Sequence, residues 1–300
     1  MTVSSSISTK AAARKRNDNI RAARLTQRGI LYLIATVSGI LFMVPFFWTI
    51  SSSLKDITEI YAVPPIWVPA KVMWHNYALV FEKVPFGVFT RNSVIVTVSA
   101  MIGTILTSSL VAFGFARFRF PGRELLFMLV LATMLLPWEV TIVPLFLIFK
   151  EVGLLNSLWP LIIPSWLGGG AFNIFLLRQF FLTIPREFDE AARMDGATSF
   201  QIYRNIVVPL SGPALAAVAI FAFLANWNEF IGPLIYNNST QWYTVPIGLR
   251  YFQNSPFSGE EPREALLMAA SIMAAAPCIV LFFVTQRYFV QGIVMSGIKG

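Results

Sequence analysis

Six apolar windows, at residues 29–54, 92–116, 125–149, 152–177, 205–236 and 265–286, run through this chain, and each is long enough to cross a lipid bilayer. The hydrocarbon core is ~30 Å thick and needs ~20 apolar residues in a helix. Charges fence the windows, and only the third and fifth enclose an acid, Glu139 and Glu229. Backbone groups cannot stay unpaired in lipid, and no window alternates polar with apolar residues as a barrel strand does, so each predicts a helix. The expected fold is an all-α integral membrane protein, a bundle of six transmembrane helices. With 56% of residues hydrophobic and 13% charged, roughly half the charge of a soluble domain, the chain has too little polar surface for water. A basic tail, residues 1–28, precedes one transmembrane domain, residues 29–300.

The tail holds seven of the 23 basic residues: Lys10, Arg14, Lys15, Arg16, Arg21, Arg24 and Arg28. Small residues with Ser, Thr and Asn fill the rest, so a largely disordered leader is expected, drawn at most to anionic lipid head groups rather than to nucleic acid. The apolar stretch behind it is longer than the ~7–15 residues of a cleaved signal and lacks a small-residue cleavage pattern, so it should remain as an anchor. Lys and Arg are retained on the cytoplasmic side. With the amino terminus inside, 16 of them fall on inner segments and seven on outer ones. Both termini are therefore expected on the cytoplasmic side of the cytoplasmic membrane, with outer loops at 55–91 and 237–264 and a long inner loop at 178–204. The lone His75 has no Cys or His at ligand spacing and the lone Cys278 lies in an apolar window, so neither a metal site nor an internal disulfide is expected.

Proline and glycine interrupt the windows at Pro137, Pro144, Pro160, Pro164, Gly168 to Gly170 and Pro233. Broken helices of this kind occur in bundles that rock between two states, and also where packing alone tolerates them. The outer loop 55–91 is rich in Pro and Trp (Pro64, Pro65, Trp67, Pro69, Trp74), which suits rigid turns and interfacial anchoring; a plain connector and a binding role both remain open for it.

The inner loop reads IPREFDEAARMDGATSFQIYRNIVVPL over 184–210. Pro185 suits a first helical turn, and Glu187, Asp189 and Glu190 follow where the positive end of the helix dipole favours acids. Gly196 is a natural break, and Thr198 with Gln201 has the spacing of a capping box that starts a second helix. The loop is thus expected to form an ordered helical elbow at the membrane face.

Within it, Glu190-Ala191-Ala192, Gly196, Ile206, Val208 and Pro209 follow the pattern E-A-A-x3-G-x9-I-x-L-P, with valine at the leucine position. In this the chain resembles the permease subunits of binding-protein-dependent ATP-binding-cassette importers. Trp227-Asn228, Gly232-Pro233-Leu234, the run from Gln286 to Val290 and the Gly297 to Gly300 end are similar to the maltose-type branch that imports carbohydrates. The resemblance covers 92–300. It implies the type I importer permease fold and a cytoplasmic coupling loop, 184–204, seated in a groove of a separate ATPase, with Glu190, Ala191, Ala192, Asp195 and Gly196 as coupling residues. It also implies a second permease subunit, making a heterodimer, two copies of the ATPase and an extracytoplasmic solute-binding protein. The chain has no G-x-x-x-x-G-K-[ST] loop, so ATP and magnesium are expected on the partner ATPases and no cofactor on this chain.

A charge in lipid is costly and usually faces a bundle interior. Asn226, Trp227, Asn228 and Glu229 form a polar cluster that either borders the solute path or fixes packing between helices, and Glu139 is a further path candidate. In the outer loop, Trp242, Tyr243, Tyr251 and Phe252 argue for burial or contact; the family resemblance implies contact with the binding protein, and packing on the chain's own outer surface is the alternative. An ion-coupled carrier would need an internal repeat, which the sequence does not display, and a membrane enzyme would need clustered His, Asp, Ser or Cys at one membrane face.

Overall fold

The computed structural model describes residues 3–254 and 263–297, with side-chain surroundings over 25–252 and 263–286. It is helical throughout, with no strand among the described residues. The chain begins with α1 (Val3–Ser53), α2 (Ile57–Ile60), α3 (His75–Lys83) and α4 (Phe86–Arg117). It continues through α5 (Arg123–Ala132), α6 (Trp138–Glu151), α7 (Trp159–Trp166) and α8 (Ala171–Thr183). Then come α9 (Glu187–Met194), α10 (Ser199–Ile202), a π turn (Tyr203–Val207), α11 (Val208–Leu210) and α12 (Gly212–Trp227). The short α13 (Ile231–Tyr236), α14 (Val245–Asn254) and α15 (Arg263–Gly297) complete the order.

Four helical stretches are long and apolar enough to cross a membrane: Leu25–Ser53, Phe86–Arg117, Trp159–Thr183 and Arg263–Gln286. Two more spans result if each sharply bent pair counts as one: Arg123–Leu135 with Trp138–Glu151, bent by 97°, and Ser199–Leu210 with Gly212–Trp227, bent by 81°. Six apolar windows therefore become six spans only by including broken ones. The third window breaks at Leu136–Pro137, where proline favours an extended residue before it and Leu136 takes ψ 117°. The fourth starts late, at Trp159, after a turn in which Gly153 and Asn156 take positive φ. The fifth is interrupted at Ser211 and again between Trp227 and Ile231. The basic tail also departs from expectation: helix α1 runs through it from Val3. Its run of Ala, Arg, Lys and Gln consists of good helix formers that a covalently attached span extends without a new nucleus.

Helix α4 is the spine, packing against α12, α8 and α7. At ~1.5 Å per residue its 32 residues extend about 48 Å. One end lies in a cluster of Val80, Val84, Phe86, Phe89, Val245, Phe252 and Leu266. The other end is buried with Phe113, Phe127, Leu177, Phe181, Ile202, Tyr203 and Val207. The loops 55–85 and 237–252 and the segment 184–207 thus occupy opposite ends of the molecule. By contrast, α1 has no buried residue from Leu25 to Ile50, and only Ser51, Ser52 and Ser53 at its end are buried within this chain.

Close approach along α4 depends on glycine. A Cβ at Gly103 would lie 2.6 Å from Cδ1 of Trp166. At Gly169, where φ is +68°, a Cβ would lie 2.6 Å from the Thr104 carbonyl oxygen. Gly103→Leu should therefore destabilise the fold by ~1–3 kcal/mol through overpacking. Gly114→Ala on the same helix meets nothing within 4 Å and should leave stability unchanged or slightly higher. Thermal unfolding of the purified protein in detergent checks this; equal Tm values for the Gly103 variant and wild type would contradict the packing.

Candidate functional site

The segment between α8 and α12 is built as the sequence predicts, and its geometry explains the motif spacing. Helix α9 ends at Asp195; Gly196 follows with φ +82°. The Gly196 N–H donates to the Arg193 carbonyl at 3.0 Å and the Ala197 N–H to the Ala192 carbonyl at 2.9 Å. This is the Schellman closure, which requires a left-handed residue four positions after the first carbonyl it satisfies. Ala192 and Ala197, the two ends of that closure, both pack on the core around Phe113 and Leu177. Two residues later the Thr198 N–H donates to Gln201 Oε1 at 2.7 Å and the Gln201 N–H to Thr198 Oγ1 at 3.3 Å, a reciprocal capping box that starts α10. The π turn then carries Tyr203, whose hydroxyl lies 2.7 Å from Ser109 Oγ on α4.

Glu190, Ala191, Asp195 and Gly196 are exposed, while Ala192 is half-buried. Beside them the elbow displays three large apolar side chains that the motif does not mention: Phe188 at 50%, Met194 at 90% and Phe200 at 61% exposure. Flanking this surface is a cavity of about 320 Å³ lined by Arg117, Phe118, Arg119, Arg186, Asp189, Glu190 and Arg193. The apolar trio was legible only as an absence of alternative: helix α9 is amphipathic, yet Phe188 and Met194 fall outside its buried face.

Each member of the polar cluster in the fifth window makes a hydrogen bond within this chain. Asn226 and Asn228 each turn back to a carbonyl four residues earlier, Ala222 at 2.7 Å and Leu224 at 2.8 Å. Trp227 is buried, stacks on Phe223 with centroids 5.7 Å apart, and donates Nε1–H to the Ala274 carbonyl of α15 at 3.0 Å. Glu229 Oε1 accepts the Gly232 N–H at 2.8 Å, which closes the gap between α12 and α13. Glu139 is exposed in the first turn of α6, where an acid complements the helix dipole.

The aromatics of the 237–252 segment pack onto the chain itself. Phe252 is fully buried among Val80, Phe89 and Leu266, so its expected contact with a binding protein is corrected: it is a core residue of this chain. Tyr243 and Tyr251 are half-buried against the same cluster, each about 6 Å from the Phe89 ring, and Trp242 packs on Val96, Leu158 and Ile162. Residues 255–262 of that loop lie outside the described residues.

An all-helical bundle with broken spans and a capped, projecting elbow defines a polytopic membrane protein of the permease type. The family model for the binding-protein-dependent transport system inner membrane component matches residues 104–295. The arabinooligosaccharides transport system permease protein AraQ of Halalkalibacterium halodurans is 33% identical over 259 residues, covering 85% of this chain and 91% of that one. The sn-glycerol-3-phosphate transport system permease protein UgpE of Yersinia enterocolitica is 32% identical over 271 residues, covering 88% and 95%. In fold, a chain of a bacterial ABC transporter involved in the import of the acidic polysaccharide alginate superposes with a TM-score of 0.78 at 23% identity, over 87% of this chain and 95% of that one. The chain belongs to the family of binding-protein-dependent transport system inner membrane components. It is a multi-pass inner-membrane permease subunit of an ABC importer, with the type I fold.

The geometry separates the two readings of Glu229. Because its carboxylate serves as a backbone acceptor, Glu229→Gln, which keeps an acceptor oxygen, should retain folding and uptake, whereas Glu229→Leu should lose ~1–3 kcal/mol by orphaning the Gly232 N–H. Comparing the thermal stability and transport of the two variants checks this. Loss of transport in a well-folded Glu229→Gln would reassign the residue to the solute path.

Proposed function

We propose that this permease carries a carbohydrate or related polar solute, and that the 184–204 elbow is its contact with a separate ATPase. The observation that carries the second part is the exposed trio Phe188, Met194 and Phe200 on a rigidly capped elbow. Large apolar groups presented to water on an ordered surface mark a partner's seat. Ala191 and Gly196 beside them add little bulk, and a Cβ placed at Gly196 would meet nothing within 4 Å, so that side of the backbone has room for a close neighbour. Glu190, in the first turn of α9, offers that neighbour an acceptor, and Asp195 caps the other end of the helix beside Gly196. The first part rests on kinship with permeases named for arabinooligosaccharides and for sn-glycerol-3-phosphate, both polyhydroxylated solutes.

On this reading two ATPase copies bind and hydrolyse ATP with magnesium, one on this elbow and one on that of a second permease subunit, and this chain holds no cofactor. Closure of the ATPases displaces the elbows and tips the spans between inward-open and outward-open. A solute-binding protein delivers its cargo at the opposite end, near the 55–91 and 237–264 loops. Both termini and the elbow face the cytoplasm, as the basic residues favour. In a Cys278→Ser background, Met194→Cys should label with an impermeant thiol reagent only from the cytoplasmic side, and Val63→Cys, at a position 93% exposed, only from outside. The reverse pattern would overturn the orientation.

Gly196→Asp tests the coupling assignment. Asp tolerates left-handed backbone better than most residues, at a strain of ~1–2 kcal/mol, and its Cβ meets nothing in this chain, so the variant should still insert and fold with a modest loss of stability. A charge at the seat should nevertheless detach or uncouple the ATPase, lowering uptake by about tenfold or more, and Glu190→Lys should act likewise by reversing the charge offered to the partner. Normal uptake by purified complexes carrying Gly196→Asp would refute the elbow as the coupling site.

A further inference from the structure

Helix α4 is not adjacent in sequence to the elbow, yet it is bonded to both of its arms. Arg117, the last residue of α4, is only 6% exposed. Its Nε lies 3.2 Å from Asp189 Oδ2 in the first turn of α9, and its Nη1 donates to the Ile184 carbonyl, where α8 ends, at 3.1 Å. Arg186 returns the contact by donating Nη2–H to the Ala116 carbonyl at 3.4 Å. Eight residues back along α4, Ser109 meets Tyr203 on the elbow's second arm, and Phe113 meets the same ring with centroids 5.3 Å apart.

A buried ion pair is weak evidence for stability, because desolvating both charges offsets their attraction; its best-attested use is to fix register or to switch. This one is also incompletely satisfied: Nε and Nη2 of Arg117 and Oδ1 of Asp189 are buried without a hydrogen-bond partner, so the Nε–Oδ2 contact is an ion pair and the hydrogen bond of the guanidinium goes to Ile184. A hydrophobic contact would have held α9 against α4 with no such cost. What the pair adds is a directional tie between the start of α9 and the end of the spine. Arg117 supplies it in the one position from which a single planar guanidinium reaches both the α8 terminus and the α9 first turn.

Resting on the elbow reading above, we propose that Arg117 is a positioning residue for transport, latching α4 to the elbow through Asp189 and the Ile184 carbonyl so that displacement of α9 by the ATPase moves α4. The elbow's covalent neighbours are α8 and, through α10 and the π turn, α12. The latch recruits the third helix of the packed core, the one that reaches the opposite end of the molecule at Phe86 and Phe89.

The test uses the assembled complex of permease pair and ATPase in liposomes, in a Cys278→Ser background. A reporter, Arg91→Cys, sits at an exposed position toward the far end of α4, and its rate of maleimide labelling is measured with and without ATP and vanadate. With Arg117 and Asp189 intact, ATP should change that rate. Asp189→Asn keeps side-chain shape and Arg117→Gln keeps a shorter polar chain, and both remove the ion pair; each should leave ATP hydrolysis within about twofold while shrinking the ATP-driven change by about tenfold. The exchange variant Arg117→Asp with Asp189→Arg restores the ion pair but not the bond to the Ile184 carbonyl, so it should recover part of that change; near-normal hydrolysis beside a lost labelling change in the single variants is what a merely structural role for either residue does not predict. Where a single variant fails to assemble, Arg117→Lys, which keeps the charge but loses the planar fork, gives the same readout and should also be impaired.

An undiminished labelling change in the single variants or in Arg117→Lys would overturn the proposal. So would labelling indifferent to ATP with the pair intact, or hydrolysis and labelling falling in proportion. Gly196→Asp run alongside separates the two readings. If it uncouples and Asp189→Asn does not, the latch alone fails; if Gly196→Asp leaves coupling intact, the elbow assignment itself fails.

Discussion

Every place where this chain leaves regular helix inside the bundle creates loose backbone groups, and many of these are satisfied from one helix. Along α4, Asn92 donates to the Gln241 and Tyr243 carbonyls at 2.8 and 2.9 Å, and Ser93 accepts the Val245 N–H at 2.8 Å. Thr107 donates to the Ser165 carbonyl at 3.2 Å, beside the break between α7 and α8, and Arg117 to the Ile184 carbonyl at the elbow. In a low-dielectric interior an unpaired N–H or C=O costs several kcal/mol. The polar residues of α4 are therefore what permit broken spans, and Gly103 on it with Gly169 facing it let those spans come close enough to be served. A helix doing both jobs must be rigid and central, which is why it carries the buried Asn92, Ser93, Thr97, Thr104, Ser108, Ser109 and Arg117 despite lying within an apolar window.

The family motif has a local physical origin that its use in docking can obscure. Gly196 is required by a left-handed φ, and its distance from Ala192 is set by the Schellman hydrogen bonds. Thr198 and Gln201 then start the next helix with two reciprocal bonds, worth ~1 kcal/mol at the cap. These devices fix the angle between α9 and α10 before any partner arrives. Two alanines and a glycine also leave the outer surface low. One short sequence thus satisfies the demands of chain geometry and of approach together.

Fold class, the positions of the apolar windows and the elbow's two helices were legible in the sequence, because hydropathy, caps and a glycine break are local signals. The bends of 97° and 81° were not. Pro137 marks the site of the first, but its angle is set by what α5 and α6 pack against. The tail's helix was missed because polarity was read as disorder, whereas the span behind it removes the cost of nucleation. The site was legible in part. Glu190, Ala191, Asp195 and Gly196 lie exposed on the elbow, but Phe188, Met194 and Phe200 gave no signal beyond their side-chain type. Lys55 shows the limit of counting charges: assigned to an outer loop, it is fully buried with Nζ 4.0 Å over the Trp48 ring. Asp189 and Arg117, 72 positions apart, could be paired only in three dimensions.

The same residue type meets opposite fates at the two ends of the molecule. Aromatics of the 237–252 segment turn inward onto α4 and α15, so that end presents a surface already folded on itself. Phe188 and Phe200 turn outward from an elbow whose backbone is held by a Schellman closure, a capping box and contacts to α4. Ordering a flexible segment on binding costs about 0.5–1.5 kcal/mol for each immobilised side chain; a segment ordered in advance avoids most of that. Exposed apolar groups on a flexible loop would collapse onto the nearest core. They remain exposed on the elbow because its caps leave them no route inward, and under the latch proposed above that same rigidity would carry a push at α9 to the far end of α4.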